Sequence, residues 1–286
     1  MIKEIDIGLD GSQDSFEAYE YGLNIAKRIK SSVKAIFVVD QRKIQVPYIY
    51  AGGTYEISYE RIYIPPDPGI TTFYEKVGND LRKFAENCLE KCRAKAKEAG
   101  VDWDGSIREG FPAAELAEES RSGDVLIVGQ RGENARYKRE VIGSTTEDLL
   151  RSSPRPVIVC PKSRNPIKRV LFPYDRSRAA ENALQLYCNA MKNLAQDFIL
   201  YITSEDGGIT DCAEDEVQYL KQHGVPVRLV CDNASPVKSI LSRASEEDVD
   251  LILVGAHGRN KIKDYLLGST TVNLVRKSTI PVMIVY

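Results

Sequence analysis

Two periods of apolar residues alternate along the chain. Short β-branched runs near residues 2–9, 33–39, 103–109, 124–128 and 156–160 read as strands, and apolar positions between them recur at helical spacing near 13–30, 74–99, 112–121 and 144–152. Runs such as Val125-Leu126-Ile127-Val128 and Leu251-Ile252-Leu253-Val254 are apolar at every position, as expected of strands covered on both faces. Alternation of this kind predicts right-handed βαβ crossovers and a parallel sheet with helices on each side, an α/β architecture of the doubly wound, Rossmann-like type. Asp6 interrupts the first strand with a carboxylate where the matching strand of the second half has Leu171. An edge position, a partner and a local bend are each open as its explanation.

The second half repeats the first. Ile2-Lys3-Glu4-Ile5-Asp6-Ile7-Gly8-Leu9-Asp10 matches Ile167-Lys168-Arg169-Val170-Leu171-Phe172-Pro173-Tyr174-Asp175 in pattern, a strand ending in Asp each time. Asp124-Val125-Leu126-Ile127-Val128-Gly129 likewise matches Asp250-Leu251-Ile252-Leu253-Val254-Gly255, and Gly143-Ser144-Thr145-Thr146 recurs as Gly268-Ser269-Thr270-Thr271. Repetition in this order predicts two copies of one unit, hence two open parallel sheets related by a pseudo-twofold. The polar stretch Lys162-Ser163-Arg164-Asn165-Pro166 reads as the linker, giving units 1–163 and 164–286. Copy one carries an insertion at 46–72, rich in Pro, Gly and Tyr, that is too long for an ordinary connection.

Composition narrows the function classes. With 286 residues, 43% hydrophobic and 28% charged, the chain is long enough for two globular cores. A net charge of -2 provides no overall positive field for nucleic acid or an anionic membrane. The apolar runs fall far short of the ~20 residues of a membrane span. The N-terminal stretch, with Glu4 and Asp6 inside it, is unlike a secretory signal, so a soluble cytoplasmic protein is expected. Six cysteines without Cys-x-x-Cys spacing read as reduced and semi-buried, and two histidines are too few for an obvious metal shell.

In a doubly wound sheet ligands bind beyond the carboxyl ends of the strands. The residues there are Asp10, Val38-Val39-Asp40 and Gly129 in copy one, and Asp175, Ile202-Thr203 and Gly255 in copy two. Gly143-Ser144-Thr145 and Gly268-Ser269-Thr270 open helices whose free N–H groups and hydroxyls suit an anion, with phosphate the natural guest. Taken singly, these glycines are ordinary turn formers and the Gly-Ser-Thr starts ordinary caps. Arg131, Arg136, Lys138 and Arg139, or Arg259, Lys261 and Lys263, are placed to balance a polyphosphate or to form a solvated loop. His257 fits propping of its turn better than phosphate contact, since copy one has Arg131 there.

Gly255-x-x-Gly258, nine residues, then Gly268-Ser269 resembles the Gly-x2-Gly-x9-Gly-Ser/Thr signature of ATP-binding universal stress proteins; copy one departs from it with ten residues between Gly132 and Gly143. The resemblance covers nearly the whole chain apart from the 46–72 insertion. It implies the fold shared with adenine nucleotide α-hydrolases and a stress-response module that binds ATP, AMP or another adenine nucleotide, with an accompanying magnesium left open. Asp175 and the backbone at Ile202 would then address adenine, with Asp10 and Val38 as counterparts. Gly255, Gly258, Gly268, Ser269 and Thr270 would hold ribose and phosphates, with Gly129, Gly132, Gly143, Ser144 and Thr145 corresponding. By its spacing, copy two has the better claim. The family also implies pairing of last strands across a dimer-like interface, here Val157–Cys160 with Val282–Val285 inside one chain, with homodimerisation of the whole chain open.

Gly-x4-Gly-Lys-Ser/Thr and Gly-x-Ser-x-Gly are absent, and no Gly-x-Gly-x-x-Gly follows the first strand. Neither histidine lies beside a recognisable nucleophile, so any hydrolysis is expected to be slow. Two other readings stay open: an interaction protein on the same fold, motivated by Tyr48, Tyr50, Tyr55, Tyr59, Tyr63 and Tyr74, and a nucleotide-cleaving enzyme.

Overall fold

The computed structural model describes residues 1–45, 53–57, 60–64, 67–132, 142–161, 167–203, 213–258 and 267–286, with 53–57 and 60–64 described as backbone. Copy one runs β1 (Glu4–Leu9), α1 (Gln13–Ile29), β2 (Ser32–Asp40), β3 (Gly53–Ile57), β4 (Glu60–Ile64), α2 (Pro68–Ala99), β5 (Trp103–Gly110), α3 (Pro112–Glu119), β6 (Val125–Gly129), α4 (Ser144–Ser152) and β7 (Val157–Cys160). Copy two follows as β8 (Arg169–Pro173), α5 (Arg178–Leu186), β9 (Asp197–Thr203), α6 (Glu214–Gln222), β10 (Val227–Asp232), α7 (Pro236–Glu246), β11 (Leu251–Gly255), α8 (Ser269–Lys277) and β12 (Val282–Val285). None of the described helices is long and apolar enough to cross a membrane.

The two expected sheets are joined edge to edge into one of ten strands, ordered β10-β9-β8-β11-β12-β7-β6-β1-β2-β5. Every contact is parallel except the central one, where β7 and β12 run antiparallel with Ile158 opposite Met283. Those two residues hold the same place in their respective copies, so the junction is self-complementary in the manner of a twofold interface. Side chains alternate across the sheet and bury in two layers. One layer takes Tyr19 and Ala26 of α1, Cys88 and Cys92 of α2 and Leu184 of α5; the other takes Leu116 of α3, Leu149 of α4, Ile240 of α7 and Leu274 of α8.

Helix ends follow from their flanking residues. Ser12 caps α1 by accepting the Ser15 N–H at 3.2 Å; a cap of this kind is worth about 1 kcal/mol. Asp67 caps α2 by accepting the N–H groups of Gly69 and Ile70, Pro68 opens the helix, and Gly100 at φ 68° closes it. The helix therefore begins earlier than residue 74, and the 46–72 insertion contains its first turn together with the antiparallel hairpin β3–β4. The linker 162–166 and the tyrosines Tyr48, Tyr50 and Tyr59 lie outside the described residues.

Asp6 has neither the edge position nor the hydrogen-bonded partner among the explanations its sequence left open. Its strand β1 is interior, paired with both β2 and β6. The carboxylate is fully buried and neither oxygen has a hydrogen-bond partner. Lys34 on the adjacent strand gives its ammonium to Glu119 at 2.8 Å. Room for Asp6 comes from Gly123, where a Cβ would fall 1.9 Å from Asp6 Oδ2. Burial, reinforced by Glu4, pushes this carboxyl up to about 7.

All five described cysteines are reduced, and four of them are buried outright rather than semi-buried as expected. Cys88 and Cys92 are reduced and share the buried side of α2, and burial pushes Cys88 up and Cys92 to about 12, far from a reactive thiolate.

Candidate functional site

Both copies build the same turn after their first strand. Asp10 Oδ1 accepts the Ser12 N–H at 2.9 Å, and Asp175 Oδ1 accepts the Ser177 N–H at 3.0 Å. The residue between is Gly11 at φ +81° in copy one and Arg176 at φ +57° in copy two. The left-handed conformation costs an L-residue about 1 kcal/mol, so copy two holds the turn at a strain that glycine avoids in copy one.

The glycine loops are held alike. Thr146 Oγ1 donates to the Gly129 carbonyl at 2.9 Å, and Thr271 Oγ1 donates to the Gly255 carbonyl at 3.0 Å. Gly143 N–H donates to Gln130 O at 3.0 Å, and Gly268 N–H to Ala256 O at 2.8 Å. A Cβ on Gly132 would lie 3.0 Å from Asp10 Oδ2, and one on Gly258 would lie 3.2 Å from Asp175 Oδ2. A Cβ on Gly143 would approach Gly132 N to 3.2 Å. The strand-end Asp, the second loop glycine and the helix-start glycine thus converge, leaving bare backbone around a small cradle. Helices α4 and α8 start there without a side-chain cap, so their first N–H groups present the positive end of the dipole. The extra residue of copy one falls outside the described residues, and the anchors on either side of it match those of copy two.

In copy one these groups line a cleft of about 590 Å³, within the ~300–1,000 Å³ typical of small-molecule sites. All seven copy-one candidates contribute to its wall: Asp10, Val38, Gly129, Gly132, Gly143, Ser144 and Thr145. Leu81 and Phe84 of α2 and the cations Arg42, Lys43 and Arg131 line it as well. Arg42 forks onto Asp40, with Nε 2.8 Å from Oδ1 and Nη2 2.5 Å from Oδ2, and the guanidinium holds that carboxyl below its ordinary range. Asp14, in the first turn of α1, is pushed up by burial, with Arg131 opposing. Bare backbone, cations and apolar side chains in one wall suit an anionic ligand with a flat apolar part.

The pairing register corrects one equivalence between the copies. Glu4 sits opposite Ser32 and Arg169 opposite Asp197, so Val38 corresponds to Thr203, and Ile202 to Phe37. A shift of one residue turns a strand side chain to the other face. Phe37 and Ile202 accordingly face the α1/α5 layer, whereas Val38 faces the α3/α4 layer. Thr203 Oγ1 donates to Ala234 O at 2.6 Å. Copy two is also more polar beside its turn, where Tyr174 donates to Glu181 and shares its hydroxyl with Glu216 at 3.0 Å, while Arg176 pairs with Glu216 at 3.3 Å.

Arg42, Lys43, Leu81 and Phe84 were not among the sequence candidates. Arg42-Lys43 comes one residue after the end of β2, a position that signals a strand-end cation; Leu81 and Phe84 read as core spacing. Arg136, Lys138, Arg139, Arg259, Lys261 and Lys263 lie outside the described residues, and His257 is half-buried.

The profile of the universal stress protein family matches residues 1–161 and 201–286. The chain belongs to the universal stress protein family. A universal stress protein of Synechocystis is 26% identical over 291 residues, covering 99% of both chains. One from Bacillus subtilis is 35% identical over 161 residues, 56% of this chain and 99% of the relative. Among solved structures, a universal stress protein from Archaeoglobus fulgidus matches with a TM-score of 0.74 at 24% identity, over 99% of this chain and 97% of that one. That likeness extends the stress-protein fold across the full tandem arrangement.

Proposed function

We propose that this stress protein is a regulatory module that binds ATP or a related adenine nucleotide in the copy-one cleft, with the matching groups of copy two as a second site. The observation that carries the reading is the cleft itself, walled by all seven residues that the signature singles out in copy one. Asp10 and the backbone at Val38 take the base. Gly129, Gly132 and Gly143 admit ribose and phosphates to the backbone, and Ser144 and Thr145 at the start of α4 hold the phosphate charge. In copy two Asp175, Gly255, Gly258, Gly268, Ser269 and Thr270 take these roles, with the backbone at Thr203 in the place of Val38. The units divide at residues 163 and 164, and β7–β12 pairing joins them within one chain. Nucleotide occupancy acts by biasing a conformation or a partner surface.

Calorimetric titration of the full chain with ATP, AMP and cyclic AMP tests this. Saturable heat with at least one of them is expected. No heat and no thermal shift at millimolar nucleotide would sink the reading.

A further inference from the structure

Phe84 is a large aromatic that the core does not need. It is 46% exposed although it sits on the inner wall of the copy-one cleft. Its ring lies against the bare backbone of the turn after β1, where a Cβ on Gly11 would fall 2.4 Å from Phe84 Cε1. Phe37 and Phe84 form a T-shaped pair, with centroids 6.0 Å apart and planes at 82°, an arrangement that fixes the ring's tilt. Leu81, one turn earlier on α2, continues the same apolar wall. The ring is therefore flanked by Phe37 and the Gly11 turn while nearly half of the residue stays exposed.

Among the described residues, this wall is seen in copy one alone. The turns Gly100-Val101 and Gly224-Val225 close α2 and α6 alike, with Val101 N–H on Ala96 O and Val225 N–H on Leu220 O. Counted back from them, the nine residues of α6 match the last turns of α2, and Leu81 and Phe84 lie in the longer N-terminal part. The long α2 that follows the insertion thus serves to place an aromatic surface over the cleft.

We propose that Phe84 is the base-stacking residue of this cleft, selecting ligands with a flat heteroaromatic base over phosphate-only anions; this deepens the nucleotide reading and rests on it. The base lies on the ring face, and the phosphates extend toward Gly132 and Ser144. Truncating a stacking aromatic generally costs ~1–3 kcal/mol per base, about 10- to 100-fold in affinity.

The test uses the full chain carrying Gly268→Asp, so that copy one alone reports, with ATP and inorganic tripolyphosphate as ligands. Phe84→Ala is expected to weaken ATP about 10- to 100-fold, to leave tripolyphosphate unchanged, and to be rescued by Phe84→Tyr. Phe84→Trp is expected to show fluorescence quenching by ATP and none by tripolyphosphate. ATP binding that is unchanged in Phe84→Ala and gives no quenching in Phe84→Trp overturns the stacking role while leaving the nucleotide reading intact. Equal losses for ATP and tripolyphosphate overturn it too, since the ring then only shapes the cleft. A parent chain that binds no ATP overturns both readings.

Discussion

Replacing Asp6 by Asn removes a titrating group from the middle of the sheet without changing its shape. The parent carboxyl has an ordinary value of 3.8 when the chain is unfolded and about 7 when folded. At ~1.36 kcal/mol per tenfold change in proton affinity, that gap is about 4 kcal/mol. The sign follows from which state holds the proton. Below pH 3.8 the group is neutral in both states and destabilises nothing. Between 3.8 and about 7 the folded state retains the proton that the unfolded chain releases, so stability falls as pH rises, and above 7 the loss is complete. Asn is neutral throughout, and whatever its burial costs does not vary with pH. The stability difference, Asp6→Asn minus parent, therefore grows by about 2 to 3 kcal/mol from pH 5 to pH 7.5. Groups common to both proteins, such as the Lys34–Glu119 pair beside Asp6, largely cancel. Urea unfolding followed by Trp103 fluorescence is the assay, since Trp103 is the chain's one tryptophan and lies in copy one. A difference that stays constant across this range would refute the reasoning, because Asp6 would then be solvated or paired when folded.

Gln130→Ala should destabilise the chain by about 1–3 kcal/mol, read as a lower urea midpoint. The Gln130 amide crosses between copies to the Val275 and Ser278 carbonyls at 2.5 and 3.0 Å, and both would lose that donor. Gly11→Ala should cost at least about 1 kcal/mol from the positive φ alone, with a further loss as the methyl displaces the Phe84 ring; a melting temperature equal to the parent's would contradict this. Gly143→Ala puts a methyl 3.2 Å from Gly132 N, and should weaken ATP about tenfold in calorimetry while shifting the melting temperature little.

Strand and helix order was legible because each element carries its own period, and the repeat was legible because both copies keep the same punctuation at Gly129/Gly255 and Gly143/Gly268. The seven copy-one residues could be placed on one rim for the same reason, since strand ends in a parallel sheet share an edge. What was hidden depends on distance in space. A pairing register involves two strands, so nothing local in β2 or β9 shows that Val38 matches Thr203 rather than Ile202. Leu81 and Phe84 have the i, i+3 spacing of any buried helix face, and only the packing of α2 over the turn at Gly11 makes them cleft wall. Asp6 looked anomalous and is so; its cavity is made by Gly123, far along the chain, which carries no signal of its own.

Photolabelling with 8-azido-ATP, followed by peptide mapping, tests the central claim most directly because it reads both binding and place. Labelling is predicted on peptides that contain the cleft wall, around Asp10, Val38 or Phe84, and is predicted to be suppressed by excess unmodified ATP. Labelling that ATP does not suppress, or that falls only on peptides remote from the strand ends of both copies, would contradict it.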